Sequence, residues 1–262
     1  MNSLKTVLVT GGTGAIGKAI AKLIARKPGY EVVILARNPQ KAQDAVEELT
    51  RITGNKHINY VLADLSRKEE IKKLADSWDR PLHILINNAG VTPRRREETP
   101  EGIEMQWATN VLGYFRMMKY FIPRIKDSAP ARIVNVASYW AGGLDPTDPE
   151  FKYRYYNNDT AYRQSKQADR MLTVAFAEML KMHNITVNVC HPGDVPSTLS
   201  ANLGFSGHET PEEGADTPVW LATSPELEGI TGKYFEHRQL TNCSFGQNKE
   251  KVEKLFELCD RY

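Results

Sequence analysis

Four glycines crowd the short segment between the first apolar run of the chain and its first helical pattern. Residues 5–9 form a run typical of a buried strand, and residues 15–26 repeat apolar side chains at helical spacing. Between them lie Gly11, Gly12, Gly14 and Gly17. A strand, a glycine turn and a helix start provide a tight turn, backbone without Cβ atoms, and free amide groups. This order predicts a pyrophosphate site for a dinucleotide. The alternative is a helix cap that is merely rich in glycine.

Apolar runs and helical patterns alternate along the rest of the chain. Further strands are predicted near residues 31–35, 59–62, 82–86, 131–136, 185–189 and 233–235, and helices near 39–53, 67–78, 101–126, 160–182 and 248–261. This alternation is typical of a doubly wound α/β domain, a parallel sheet with helices on both faces. No break divides the 262 residues, so we predict a single domain over 1–262.

Composition and charge exclude several classes of function. The net charge of +2 offers no broad basic surface for nucleic acid, and the one basic cluster, residues 94–96, is interpreted as a solvated loop. The six histidines lack ligand spacing, so no metal site is expected. Three scattered cysteines suit a reducing compartment. With no apolar run long enough for a membrane span and no signal peptide at the start, we predict a cytoplasmic protein without an integral membrane segment.

Conspicuous residues follow almost every predicted strand. In chain order they are residues 11–17, Arg37, Asp64, residues 87–90, Ser138 and residues 191–193. Turns favour Gly, Asn and Pro in any protein, so chance clustering is one reading. Because ligands of such sheets bind at the carboxyl ends of the strands, the other reading places all of them in one crevice.

Tyr162 and Lys166 are four residues apart on a predicted helix and therefore share a face. A phenol ionises near pH ~10, so a base that works near neutrality needs its pKa lowered by about three units, or about 4 kcal/mol. A cation held close by can supply part of that. We therefore expect Lys166 to lower the pKa of Tyr162, although many such pairs are only a surface lysine beside an aromatic ring.

One ordered series of residues runs through the chain: Thr10 to Gly17, Asp64, residues 87–90, Asn110, Ser138, Tyr162 with Lys166, and Pro192 with Gly193. This series resembles the short-chain dehydrogenase/reductase family over practically the whole chain. Residues 110–115, 133–136, 191–193 and 231–235 are similar to its retinol dehydrogenase and lipophilic carbonyl reductase branch. The resemblance implies a single-domain Rossmann fold and an oxidoreductase that moves hydride between nicotinamide and an alcohol or carbonyl group.

The resemblance also implies the catalytic set. Tyr162 would be the general acid and base, and Lys166 would hold the ribose hydroxyls. Ser138 would hydrogen-bond the substrate oxygen where negative charge develops. Asn110 would anchor a water that connects Lys166 to solvent, or would simply bend its helix.

Cofactor contacts are expected from nineteen positions. They are Gly11, Thr13, Gly14, Ala15, Ile16, Gly17, Arg37, Asn38, Asp64, Leu65, Asn88, Ala89, Gly90, Tyr162, Lys166, Pro192, Gly193, Val195 and Ser197. Many relatives have glycine in place of Ala15, and we expect the turn to tolerate the alanine. The end of the second strand carries no acid to select NAD(H), whereas Arg37 suits a phosphate. NADP(H) is therefore predicted, with NAD(H) as the weaker alternative.

The substrate side is marked by apolar residues. The resemblance implies a lid near residues 194–215, which contains Leu199, Leu203 and Phe205, and Tyr139 and Trp140 directly follow Ser138. These residues favour a lipophilic ketone, aldehyde or alcohol, of retinoid or steroid kind, although they suit ordinary core equally.

Several alternatives stay open. The long interval between Ser138 and Tyr162 either shapes the substrate mouth, or covers a helix that relatives use to dimerise, or is a solvated loop. A homodimer through residues 101–126 and 160–182 is possible. A carbon–carbon double-bond reductase and a non-catalytic NADP(H)-sensing protein are the competing functions.

Overall fold

The computed structural model describes residues 4–262, which form one eight-stranded sheet with helices on both faces. The strands are β1 Lys5–Thr10, β2 Tyr30–Ala36, β3 Ile58–Leu62, β4 Ile84–Asn87, β5 Ala131–Val136, β6 Ile185–His191, β7 Tyr234–Glu236 and β8 Gln239–Thr241. The helices are α1 Ala15–Ala25, α2 Pro39–Thr53, α3 Lys68–Asp76, α4 Gly113–Lys126, α5 Asn158–Leu180, α6 Thr198–Asn202, α7 Pro211–Thr223 and α8 Lys249–Arg261. A π-helical turn, Trp107–Leu112, leads into α4.

The strand order is β3-β2-β1-β4-β5-β6-β7-β8, and every pair is parallel except β7 with β8. The chain moves outward from β1 to β3 and then crosses back to β4 on the other side of β1. This reversal opens a crevice above the carboxyl ends of β1 and β4, where ligands of doubly wound sheets bind. The doubly wound parallel sheet predicted from the sequence is confirmed, with one antiparallel edge strand added.

Alternate residues of the strands pack into two apolar layers. On β1, Val7 and Val9 belong to the layer under α1, α2 and α7, whereas Leu8 belongs to the layer under α3, α4, α5 and α8. Successive side chains of a strand point to opposite faces, so strands that are apolar throughout bury both faces.

The predicted helix over 101–126 begins later than expected. Pro100 and Gly102, whose φ is +78°, keep residues 99–103 in turns, and the Glu104 carboxylate then accepts hydrogen bonds from the amides of Gln106 and Trp107. A carboxylate that receives the free amides of a first turn is a helix cap. The helix therefore starts at residue 105 and passes through the π-helical turn before α4.

Candidate active site

The glycine turn between β1 and α1 has the geometry that a pyrophosphate requires. Gly11 has a φ of +66°, a conformation that L side chains rarely adopt. A Cβ at Gly12 would overlap Ile34, and one at Gly17 would overlap the Gly11 carbonyl oxygen. By contrast, a Cβ at Gly14 would meet only that oxygen, at 3.4 Å, so the space beside the turn is open. The first amides of α1 have no intrahelical acceptor and are free to bind an anion there.

A cleft of about 510 Å³ extends from this turn across the carboxyl ends of β1, β2, β3 and β4. Thirteen of the predicted cofactor residues line it: Gly11, Thr13, Gly14, Ala15, Ile16, Gly17, Arg37, Asp64, Leu65, Asn88, Ala89, Gly90 and Ser197. Val91, Thr109, Thr198 and Leu199 line it as well and were not predicted to contact the cofactor.

The loop after β4 is held from two sides. The hydroxyl of Thr10, at the end of β1, accepts hydrogen bonds from the amides of Asn88 and Ala89 at 2.8 and 3.0 Å. From the other side, Asn110 in the π-helical turn binds the N–H and the carbonyl of Val91 at 2.9 and 3.0 Å. Asn110 therefore fixes the wall of the cleft. Single π-helical turns occur often at functional sites because they redirect a side chain.

Arg37 and Asp64 line the end of the cleft beyond β2. Arg37 is largely exposed, and its nearest carboxylate is Asp64 at 3.9 Å. Asp64 itself accepts hydrogen bonds from the amide and the hydroxyl of Ser66 at 2.9 and 2.8 Å, which orient it. The Asn38 side chain accepts the Lys41 amide at 2.9 Å and caps α2, and its contact with the cofactor stays a prediction.

Tyr162 and Ser138 meet at the inner end of the cleft. Ser138 follows β5 and Tyr162 lies in the second turn of α5; both are buried, and both line the same cavity. Ser138 Oγ accepts the Trp140 amide at 3.1 Å, which orients the hydroxyl. Two converging hydroxyls can hold one substrate oxygen between them.

The pKa of Tyr162 departs from the expected direction. Burial raises it to about 12, the Ser138 hydroxyl opposes the rise, and the charges of Asp169 and Asp194 add to it. Lys166, which was expected to lower this pKa, has its Nζ bound to the Asp169 carboxylate at 3.0 Å and to the Val136 carbonyl at 3.0 Å. At neutral pH the phenol is therefore protonated and suited to donating a proton.

The substrate end of the cleft is a smaller cavity of about 70 Å³. Its walls hold Ser138, Tyr162 and Lys166 together with Leu199 and Phe205 of the lid. Seven further predicted cofactor residues line it: Ile16, Asn88, Gly90, Pro192, Gly193, Val195 and Ser197. Across it the rings of Trp140 and Phe205 pack edge to face with centroids 5.0 Å apart. Ser197 caps the short helix α6 by accepting the Ser200 amide at 3.1 Å. The lid is thus folded over Tyr162.

The long interval between Ser138 and Tyr162 is not a solvated loop. Asp148, Glu150 and Phe151 are buried, and Gln164 on α5 donates to the Pro149 carbonyl at 2.6 Å. Its exposed side chains include Tyr153 and Tyr155, which are nearly and fully exposed. The segment therefore packs over the start of α5 beside the site.

The C-terminal helix α8 covers part of the surface that α4 and α5 would offer to a second copy. Phe256 packs against Phe115 of α4 and Phe176 of α5, with ring centroids 5.0 and 5.3 Å apart, and Leu255 is fully buried. The homodimer stays a prediction. Any such contact would have to form beside α8.

Among residues 4–262, no helix combines the length and the apolar character that crossing a membrane requires. The cytoplasmic location stays a prediction from the sequence.

Comparison with known proteins adds an independent line of evidence. The family model for short chain dehydrogenase matches residues 5–204. Human retinol dehydrogenase 13 is 33% identical over 88% of this chain and 76% of its own length. Mouse retinol dehydrogenase 11 is 32% identical over 98% of this chain and 85% of its own. Among solved structures, the RhlG/NADP active-site complex of Pseudomonas aeruginosa has a TM-score of 0.70 and 25% identity, covering 89% of this chain and 94% of that one.

The matched region includes the glycine turn, the loop after β4, Ser138, Tyr162 and Lys166, which line the cleft and its inner cavity. The chain is therefore an oxidoreductase of the short-chain dehydrogenase family, in its retinol dehydrogenase branch, and acts on alcohol or carbonyl groups with a nicotinamide cofactor.

Proposed function

We propose that the chain is an NADP(H)-dependent carbonyl reductase or alcohol dehydrogenase for a lipophilic small molecule, with Tyr162 as its general acid and base. The observation that carries this proposal is that the buried side chains of Ser138 and Tyr162 line the same cavity at the inner end of the dinucleotide cleft. A bound nicotinamide would supply the hydride. The side chains of this protein supply the position of the substrate and the proton.

Tyr162 would donate the proton that a reduced carbonyl oxygen takes up, because burial keeps the phenol protonated at neutral pH. Ser138 would stabilise the developing negative charge on the same oxygen, since its hydroxyl is already oriented by the Trp140 amide. Lys166 lies beneath the site with its Nζ 5.9 Å from the centre of the Tyr162 ring. These three side chains account for orientation, charge stabilisation and proton transfer.

Arg37 supports the choice of NADP(H). It lines the cleft at the end of β2, its side chain is 61% exposed, and its one ionic partner, Asp64, is 3.9 Å away. A guanidinium so weakly held can turn to a 2′-phosphate and bind it through two parallel hydrogen bonds. The cleft has no carboxylate at the adjoining positions 35, 36 and 38 to bind a free 2′-hydroxyl instead.

Apolar walls support a lipophilic substrate. Trp140, Leu199 and Phe205 line the inner cavity beside the two hydroxyls. Because the cavity of about 70 Å³ is smaller than any retinoid or steroid, such a substrate requires the lid to move outward. Once the lid closes again, these side chains exclude water from the reacting oxygen.

The test is a screen of the purified protein with NADPH against aldehydes, ketones, retinoid and steroid carbonyls and one enone, with product analysis and separate fluorescence titration of NADPH. The proposal predicts NADPH binding and reduction of a lipophilic carbonyl to its alcohol. Reduction of only the enone double bond would identify a carbon–carbon double-bond reductase. Tight NADPH binding without turnover of any compound would identify a cofactor-sensing protein, and no NADPH binding would overturn the assignment.

A further inference from the structure

A buried ion pair lies directly beneath the proposed acid and base. Asp169 is three residues beyond Lys166 on α5, one turn along the same face. Its Oδ2 is 3.0 Å from Lys166 Nζ, and neither side chain is more than 4% exposed. Its other oxygen, Oδ1, is buried without a hydrogen-bond donor among the described residues. A carboxylate with a free oxygen in a dry site exerts its charge on whatever titrates nearby.

Other charged or titratable groups near this pair come from every neighbouring element. Tyr114 of α4 lies with its ring centre 4.9 Å from Lys166 Nζ, and its hydroxyl donates to the Val136 carbonyl at 3.2 Å. Burial raises the pKa of Tyr114, of Cys190 on β6 and of Cys259 on α8, so all three are neutral. Asp194 in the lid, and Tyr139, face Tyr162 from the opposite side. Arg170 follows Asp169 and donates to the Ser138 carbonyl.

Among these groups, Asp169 is the buried carboxylate that contacts Lys166. Burial alone lowers the pKa of Lys166, but the Asp169 carboxylate more than offsets this and holds the net pKa above its usual value. Burial raises the pKa of Asp169, and the neighbouring ammonium opposes the rise. The Asp169 carboxylate thus largely neutralises the positive charge of the lysine, so little of that charge acts on Tyr162.

Building on the proposed function, we propose that Asp169 is a positioning residue that holds Lys166 beneath the site and makes Tyr162 retain its proton, which favours proton donation over proton removal. The carboxylate acts through Lys166 and through space. Replacing it by asparagine removes one negative charge, keeps the size of the side chain, and leaves an oxygen that can still accept from Lys166 Nζ. Proton loss from the group formed by Tyr162 and Lys166 then becomes easier.

The activity test compares the pH dependence of alcohol oxidation in the wild type, Asp169→Asn and Asp169→Glu. We expect the rising limb of kcat/KM for Asp169→Asn to move down by at least about one pH unit, or tenfold in rate at a fixed pH below it. Asp169→Glu keeps the charge and should keep the wild-type limb. The control is Glu178→Gln, which removes the same charge from an exposed position of α5. An unmoved limb in Asp169→Asn would overturn the proposal.

A second measurement does not require turnover, so it separates this proposal from the proposed function. The measurement is NMR of the protein without cofactor, labelled with [13C-ζ]tyrosine. The Tyr162 resonance is assigned by its loss in Tyr162→Phe and is followed up to pH ~11, a range in which a phenol of lowered pKa would titrate. The wild-type resonance should stay that of a phenol, whereas the Asp169→Asn resonance should begin to titrate. If Asp169→Asn does not fold, Asp169→Ser replaces it. Identical titration curves for wild type and variant would overturn the proposal even in a protein with full carbonyl reductase activity.

Discussion

The side-chain amide of Asn110 binds both polar backbone groups of Val91, accepting from its N–H at 2.9 Å and donating to its carbonyl at 3.0 Å. This pair of bonds joins the π-helical turn before α4 to the loop that follows β4. The loop forms one wall of the dinucleotide cleft, so this contact fixes the wall relative to the buried π-helical turn.

Asn110→Ala removes the hydrogen-bond partner from two backbone groups of the half-buried Val91. We expect it to lower the free energy of unfolding by about 1 to 3 kcal/mol and to weaken NADPH binding as well. Urea denaturation and fluorescence titration of NADPH measure the two effects. Asn59→Ala, at an exposed position of β3, is the control. Wild-type stability and affinity in Asn110→Ala would show that the loop does not depend on this contact.

Arg37→Ala tests the choice of cofactor. Loss of a charge-assisted contact to a 2′-phosphate is expected to raise the Kd for NADPH about ten- to hundredfold, since such bonds contribute about 1.5 to 3 kcal/mol. The Kd for NADH should stay within about threefold, because NADH carries no phosphate for Arg37 to bind. Arg51→Ala, exposed in the last turn of α2, is the matched control. A preference for NADH in the wild type that Arg37→Ala leaves untouched contradicts the assignment.

Phe205→Ala opens the lid above Tyr162. Because Phe205 packs on Trp140 over the inner cavity, its loss should raise the KM for a lipophilic ketone about tenfold, in keeping with 1.5–3 kcal/mol for a buried phenyl ring. The Kd for NADPH should not change. Initial rates across a range of ketone concentrations measure this, with Leu240→Ala, at a position 65% exposed on β8, as the control. An unchanged KM would exclude Phe205 from the substrate site.

Leu255→Ala tests the packing of α8 on the domain. Leu255 is 1% exposed, and its truncation should cost about 2 to 5 kcal/mol in the free energy of unfolding. Glu253→Ala, exposed on the same helix, should cost far less. If Leu255→Ala proves as stable as Glu253→Ala, α8 does not pack on α4 and α5 as the structure has it.

The order of strands and helices could be predicted from the sequence because the local patterns agree with the tertiary structure. The apolar runs at 5–9, 31–35 and 131–136 are strands because both of their faces are buried, and the glycine turn lies between β1 and α1 where strand and helix patterns meet. The residues after the strands converge for a geometric reason. Parallel strands bring their carboxyl ends to one edge.

The elements that were not predicted from the sequence have weaker or opposing local patterns. Gly214 and Pro218 inside α7 conceal that helix, although Thr210 and Glu213 form a capping box that marks its start. β8 is three residues long and pairs only with β7. Asn38 caps α2, a role that was not predicted although asparagine is common at the N-cap of a helix.

The charged groups around Tyr162 were the part of the site that the sequence predicted least well. A helical spacing shows that Lys166 shares a face with Tyr162, but it does not show how deeply either is buried. Asp169 shares that face too, three residues beyond the lysine, so the spacing rule that singled out Lys166 could also have found its partner. Burial and the competing carboxylate reverse the expected direction of the tyrosine pKa.

Turnover by Tyr162→Phe tests directly whether Tyr162 is the general acid and base. It is measured with NADPH and the best carbonyl substrate of the screen, beside Tyr155→Phe, which removes a fully exposed hydroxyl. We expect Tyr162→Phe to lose about 10²- to 10⁴-fold in kcat while it retains NADPH binding, and Tyr155→Phe to behave as the wild type. A kcat for Tyr162→Phe above a tenth of the wild-type value would show that Tyr162 does not have this role.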